Sequence, residues 1–136
     1  MHADDGLALR DAWITAAVRC APPANKPTPA ERDTCLPYAA RELTLLRDVR
    51  VIVCLGAFAW DAALRLLALV PGVAVPRPRP RFGHGVVLDV PSAPMLVGCF
   101  HPSQQNTFTG KLTPPMIDEV FLLARDLAGL PPVELP

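Results

Sequence analysis

Strands alternating with helices along 136 residues predict a single α/β domain spanning residues 1–136, with a mostly parallel sheet covered by helices on both faces. Three observations carry that expectation. Residues 49–55 and 95–99 are short, almost unbroken apolar runs, the pattern of strands buried on both sides. Two segments open with helix-start chemistry. In Thr28-Pro29-Ala30-Glu31 the threonine caps, the proline takes the first helical position and the glutamate closes a capping box, and Thr113-Pro114 repeats the pattern. Gly56 stands directly after the first run and lets the chain turn tightly into an apolar helix.

In chain order, residues 12–18 are apolar with β-formers and read as a buried strand. A proline-dense loop follows, carrying Cys20 and Asn25. The first helix runs from Pro29 to about Leu46, with Leu36, Ala39, Ala40, Leu43 and Leu46 on one face and a kink or late start at Pro37. Residues 49–55 form the central parallel strand, and residues 57–69 a largely buried helix. The alternating prolines and arginines of residues 76–81 predict an extended, polyproline-like segment. Residues 86–90 and 95–99 are short strands joined around Pro91-Ser92-Ala93-Pro94. The last helix runs from Thr113 to about Ala128, where Gly129 ends it.

Composition narrows the function classes. Formal net charge is zero and aromatics make up 6%, which argues against a globally basic nucleic-acid field and a broad base-stacking platform, while leaving a local basic patch open. A hydrophobic content of 51% predicts a folded core. No apolar run reaches the roughly 20 residues of a membrane span, and the polar start Met1-His2-Ala3-Asp4-Asp5 is not a secretory signal. The expectation is a cytoplasmic monomer with no membrane partner. Four cysteines then favour metal binding or buried thiols over disulfides.

The chemistry-bearing stretch is residues 99–113, a polar loop leaving the carboxyl end of a strand, where ligands sit in open α/β sheets. Pro102 restricts the backbone of His101, whose imidazole either stabilises a developing oxyanion or satisfies loop carbonyls. Cys20 and Cys35 either converge on a metal or pack as small apolar residues, whereas Cys54 and Cys99 read as core. Asn25 either reads a base edge or forms a turn. His84, between two glycines, either approaches a phosphate backbone or turns the chain. Arg77, Arg79 and Arg81 either contact phosphates or line a solvated loop.

Taken in order, these pieces resemble a known family. Arg19-Cys20-Ala21-Pro22-Pro23-Ala24-Asn25-Lys26-Pro27-Thr28-Pro29 followed by Cys35, then Phe82-Gly83-His84-Gly85, then His101-Pro102-Ser103-Gln104-Gln105-Asn106-Thr107 and Thr109-Gly110-Lys111-Leu112-Thr113-Pro114, are similar to the iron-sulfur uracil-DNA glycosylases of families 4 and 5. The match resembles family 5, the type B enzymes, more closely. Family 4 carries a base-reading asparagine on the preceding strand, where this chain has Ala16.

The resemblance implies a three-layer α/β/α sandwich around a four-stranded parallel sheet. It implies hydrolysis of the N-glycosidic bond of uracil or other deaminated bases flipped out of DNA in base-excision repair. On that basis His101 is the catalytic residue, bonding the uracil carbonyl that gains charge, and Asn25 recognises the base. Ser103, Gln104, Gln105 and Asn106 belong to a loop entering the minor groove, with Arg79, Arg81 and His84 as further DNA contacts. Cys20 and Cys35 are two ligands of a [4Fe-4S] cluster. The family's upstream Cys-x-x-Cys pair and glycine-rich first motif have no counterpart, since only residues 1–11 precede the first predicted strand. The expectation is therefore a domain lacking its N-terminal part, and the rival reading is a non-catalytic DNA-binding remnant.

Overall fold

The computed structural model describes residues 5–133, and of Asn25 only the backbone. Among these residues four α-helices and three strands follow one another as α1 (Pro29–Leu45), β1 (Val51–Leu55), α2 (Ala57–Ala68), β2 (Val87–Leu88), β3 (Met95–Cys99), α3 (Gln104–Phe108) and α4 (Pro114–Leu127). A 3-10 turn at Pro23–Asn25 precedes them.

The strand order is β1-β3-β2. β1 runs parallel to β3, with Val51 opposite Met95 and Leu55 opposite Cys99. β2 is antiparallel to β3, pairing Val87 with Val97 and Leu88 with Leu96. The sheet is thus mixed and three-stranded where a mostly parallel one was expected. The cause is the short Pro91–Pro94 connection, which can join antiparallel neighbours but is far too brief for a parallel crossover.

Side-chain alternation divides the core. Ile52, Cys54 and Leu96 pack with Trp60, Ala63, Leu64 and Leu67 of α2. Val51, Val53, Val97 and Cys99 pack with Val120, Met116, Ile117 and Leu123 of α4. Residues two apart share a face because strand side chains alternate, so two helices of opposite placement seal the same two strands.

α1 begins with the predicted capping box: the Thr28 hydroxyl accepts from Glu31 N–H at 3.2 Å, and Glu31 accepts from Thr28 N–H at 2.7 Å. The helix continues through Pro37, losing one main-chain hydrogen bond there. Its predicted apolar face is only half-buried, and the two residues it buries are Arg32 and Cys35. Leu43, Leu46, Leu66, Leu69 and Val70 border a shallow hollow of about 270 Å³ between the ends of α1 and α2.

Residues 12–18 are not a strand. Trp13 is 63% exposed and Ile14 72% exposed, so the expected burial is also absent. Among the described residues β1 pairs on one side, with β3, and the arm formed by residues 12–18 does not reach its other edge. It lies along α1 instead, where Glu42 accepts from the Thr15 hydroxyl at 2.5 Å and pairs with Arg19 at 2.5 Å. The Arg19 guanidinium also sits 5.8 Å from the centre of the Tyr38 ring. Those bonds hold the Glu42 carboxyl below its usual range, the Thr15 hydroxyl first and Arg19 second. The segment 76–81 is irregular and bends at residues 77–78 where an extended, polyproline-like run was expected; its Arg77–Pro78 bond is cis. Among the described residues no helix is long and apolar enough to cross a membrane.

Candidate active site

His101 emerges two residues beyond the end of β3, and its surroundings explain its placement. Gly56, just after β1, donates its N–H to Cys99 C=O at 2.8 Å, which ties the two strand ends together. Gly56 has φ +94, and a Cβ there would lie 3.2 Å from His101 Cβ. The glycine is needed both for its backbone and for the space that His101 occupies. Gly56 also opens α2, whose first intrahelical bond is Trp60 N–H to Gly56 C=O at 3.1 Å. The amides of the first turn therefore begin beside the histidine with no helical acceptor.

Beyond His101 the loop folds on itself. The His101 carbonyl accepts from Ser103 N–H at 2.8 Å and from Asn106 Nδ2 at 2.8 Å. Ser103 caps α3, its hydroxyl accepting from Asn106 N–H at 3.2 Å. The Asn106 carbonyl accepts from Leu112 N–H at 2.9 Å, and Leu112 is buried in the α4-side core. The imidazole itself is exposed, and among the described residues no side chain hydrogen-bonds it. An exposed imidazole on a backbone held from both ends can donate to or accept from a ligand entering from solvent.

The other predicted site residues divide into those that meet this loop and those that do not. His84 does: its Nδ1 accepts from Phe100 N–H at 3.0 Å and its ring stacks on Phe100 with centres 4.8 Å apart. Ser103 and Asn106 shape the loop from within, while Gln104 and Gln105 face solvent on α3. Arg79 donates to Asp61 at 3.2 Å, and the neighbouring Trp60 indole donates to Pro80 C=O at 2.9 Å, so α2 grips the arginine segment at two adjacent residues. Asp61 also receives Arg65 at 3.1 Å and the buried Arg32. Arg81 is exposed and enters no ion pair among the described residues.

Phe108, at the end of α3, was not singled out in the sequence, yet it is 84% exposed. The available signal was an aromatic residue in a stretch otherwise made of amides, hydroxyls and glycine.

Among the described residues no hydrogen bond or ion pair joins the segment carrying Cys20 and Cys35 to the His101 loop. The Asn25 side chain lies outside the described residues. Cys20 is exposed, and Cys35 is buried with Arg19 N–H directed at its Sγ at 3.5 Å. An amide aimed at sulfur is compatible with a ligating thiolate. Among the described residues, however, no third Cys, His, Asp or Glu joins the two thiols. These residues do not by themselves fit a four-thiolate cluster. Cys54 and Cys99 cannot complete it, since both are core residues; burial pushes the Cys54 thiol up to about 12 and raises that of Cys99.

A strand-end histidine followed by Pro-Ser and a capped polar loop, on a small mixed sheet between helices, defines a class. The chain belongs to the uracil DNA glycosylase superfamily, whose family model matches residues 1–124. Within it the chain is 54% identical over 131 residues to a type-5 uracil-DNA glycosylase of Mycobacterium tuberculosis, a match covering 96% of this chain and 47% of that relative. It is 45% identical over 126 residues to a type-5 uracil-DNA glycosylase of Thermus thermophilus, covering 93% of this chain and 55% of that relative. A type-4 uracil-DNA glycosylase of Archaeoglobus fulgidus is 47% identical over 70 residues, which is 51% of this chain. Similarity to type 5 thus extends over nearly the whole chain and similarity to type 4 over about half. The chain spans about half the length of the curated relatives it matches.

Proposed function

We propose that the chain carries the lesion-facing part of a uracil-DNA glycosylase, which hydrolyses the N-glycosidic bond of uracil or other deaminated bases. The observation that carries this reading is the exposed His101 imidazole, set on a backbone held by Ser103 and Asn106 and supported by Gly56. Excision leaves negative charge on the departing uracil, and a fixed donor at its carbonyl stabilises that charge more than the ground state. The scissile bond is shielded in a stacked duplex, so the nucleotide must be flipped out first.

In this reading Phe108 is the apolar wedge that fills the vacated step from the minor groove, with Gln104 and Gln105 alongside it. Its exposure at the tip of a polar helix supports that role. Arg81 contacts backbone phosphate, and Arg79 does so by leaving Asp61. Asn25 reads the base edge. Cys20 and Cys35 are two ligands of a [4Fe-4S] cluster and require two further thiolates that the described residues do not hold. The fold of the whole enzyme is a three-layer α/β/α sandwich acting as a cytoplasmic monomer.

A second reading is a DNA-binding remnant without catalysis. It is favoured by the absence, among the described residues, of any carboxylate or second imidazole bonded to His101. Incubating the chain with single- and double-stranded uracil-containing oligonucleotides, followed by alkali, separates the two. Strand cleavage at uracil supports the first reading. Retention of the DNA without cleavage supports the second and removes the first for this polypeptide.

A further inference from the structure

We infer that His84 is a positioning residue for His101, its imidazole replacing strand backbone to carry the β3 ladder past the end of β2. Its catalytic consequence rests on the glycosylase reading above; its structural part does not. On the β2 side of β3, Gly98 N–H bonds Val86 C=O at 2.9 Å and Gly85 N–H bonds Gly98 C=O at 2.8 Å. There the partner chain turns away, with Gly85 at φ +75 and Val86 N–H bonded back to Gly83 C=O at 3.3 Å. The next β3-side amide, Phe100 N–H, would have lost its main-chain acceptor. His84 Nδ1 takes it at 3.0 Å.

Two glycines make the approach possible. A Cβ on Gly98 would lie 2.1 Å from the Gly83 carbonyl oxygen, and one on Gly83 would lie 2.7 Å from Val86 Cγ2. The Gly98 contact is with fixed backbone, so residues 83–85 can lie on β3 only with glycine at 98, while a side chain at 83 would have to push the Val86 methyl aside. Phe82 continues the support, its ring 6.3 Å from that of Phe100 on one side and 6.3 Å from that of Trp60 on the other. Phe100 is thus fixed by its amide and by both faces of its surroundings, and the residue it carries next is His101.

A main-chain N–H can only donate, so Nδ1 of His84 carries no proton and the neutral ring holds its hydrogen on Nε2. This commits one ring nitrogen of His84 to the protein and leaves only Nε2–H for any outside partner. His84 acts on the reaction through Phe100, by setting where the His101 imidazole starts.

The test uses the 136-residue chain with two variants. His84→Phe keeps a ring against Phe100 but has no acceptor; His84→Asn places an amide oxygen near the Nδ1 position. In His84→Phe the Phe100 amide is expected to exchange with solvent roughly tenfold faster, the effect of one net hydrogen bond, and His84→Asn restores most of the protection. Nitrogen-resolved NMR of the parent ring is expected to show the Nε2–H tautomer. In uracil excision, His84→Phe lowers kcat by about tenfold with KM little changed, since a misplaced catalytic group weakens the transition state and not substrate binding. Unchanged Phe100 exchange, an Nδ1–H tautomer, or an active His84→Phe chain with parental kcat overturns the proposal. Should His84→Phe fail to fold, the parent tautomer and the Phe100 exchange of His84→Asn decide it. A chain with the expected exchange and tautomer but no excision removes the glycosylase reading and leaves the His84 support standing.

Discussion

The placement of His101 depends on Gly56, Ser103 and Asn106. Replacing the histidine with alanine is expected to lower uracil excision about 10²- to 10³-fold, the usual cost of losing one oxyanion donor, with the melting temperature unchanged because the side chain is exposed. Gly56→Ala is expected to differ by lowering stability as well as activity. It forces a side chain into φ +94 and against His101 Cβ, a strain of about 1–3 kcal/mol readable in a thermal melt. Cysteine chemistry follows burial. An alkylating reagent is expected to label Cys20 in the native chain and to spare Cys54 and Cys99 until the protein is unfolded, because both are core and their thiols are pushed up by desolvation. Labelling of Cys54 at the rate of Cys20 would contradict the packing described.

At the scale of elements, legibility followed the strength of the local signal. The apolar run and Gly56 located β1 and α2 to within two residues, and the Thr-Pro starts located α1 and α4 equally well. α3 was unforeseen because its stretch has no apolar period, although Ser103 three residues before Asn106 is a capping pattern that could have revealed it. The arm at residues 12–18 failed for a different reason. A strand is made by its partner, and an apolar run carries no information on whether one is within reach. The arm is held instead by Glu42, whose folded pKa lies below its ordinary 4.5. Its contacts therefore hold above that value and are lost as pH falls below it. In a Trp60→Phe background, Trp13 fluorescence is expected to change on acidification below about pH 4.5, and Glu42→Gln is expected to show the acid-side signal already at neutral pH. Phe108→Ala in α3 is expected to reduce excision from duplex DNA more than from single strands, since only the duplex has a step to fill; equal losses on both substrates would count against a wedge.

For the molecule as a whole, residue order conveyed the α/β class and most of the site loop, but not the direction of β2 or the alliances between distant charges. Those depend on which surfaces meet. Nothing local marks Asp61 as the group on which Arg32 of α1, Arg65 of α2 and Arg79 of the arginine segment converge. That convergence alters how the protein would exchange ions with DNA. A free arginine docking on a phosphate releases a counterion, and log affinity falls by nearly one unit per decade of salt for each such contact. Arg79 already has its anion. Transferring it to phosphate swaps one negative partner for another and uncovers a carboxylate that must recruit cations of its own. Arg81→Ala is therefore expected to flatten the salt dependence of DNA affinity by about one unit, and Arg79→Ala by much less. Titrations at several salt concentrations would show whether the two arginines, one residue apart, differ in this way.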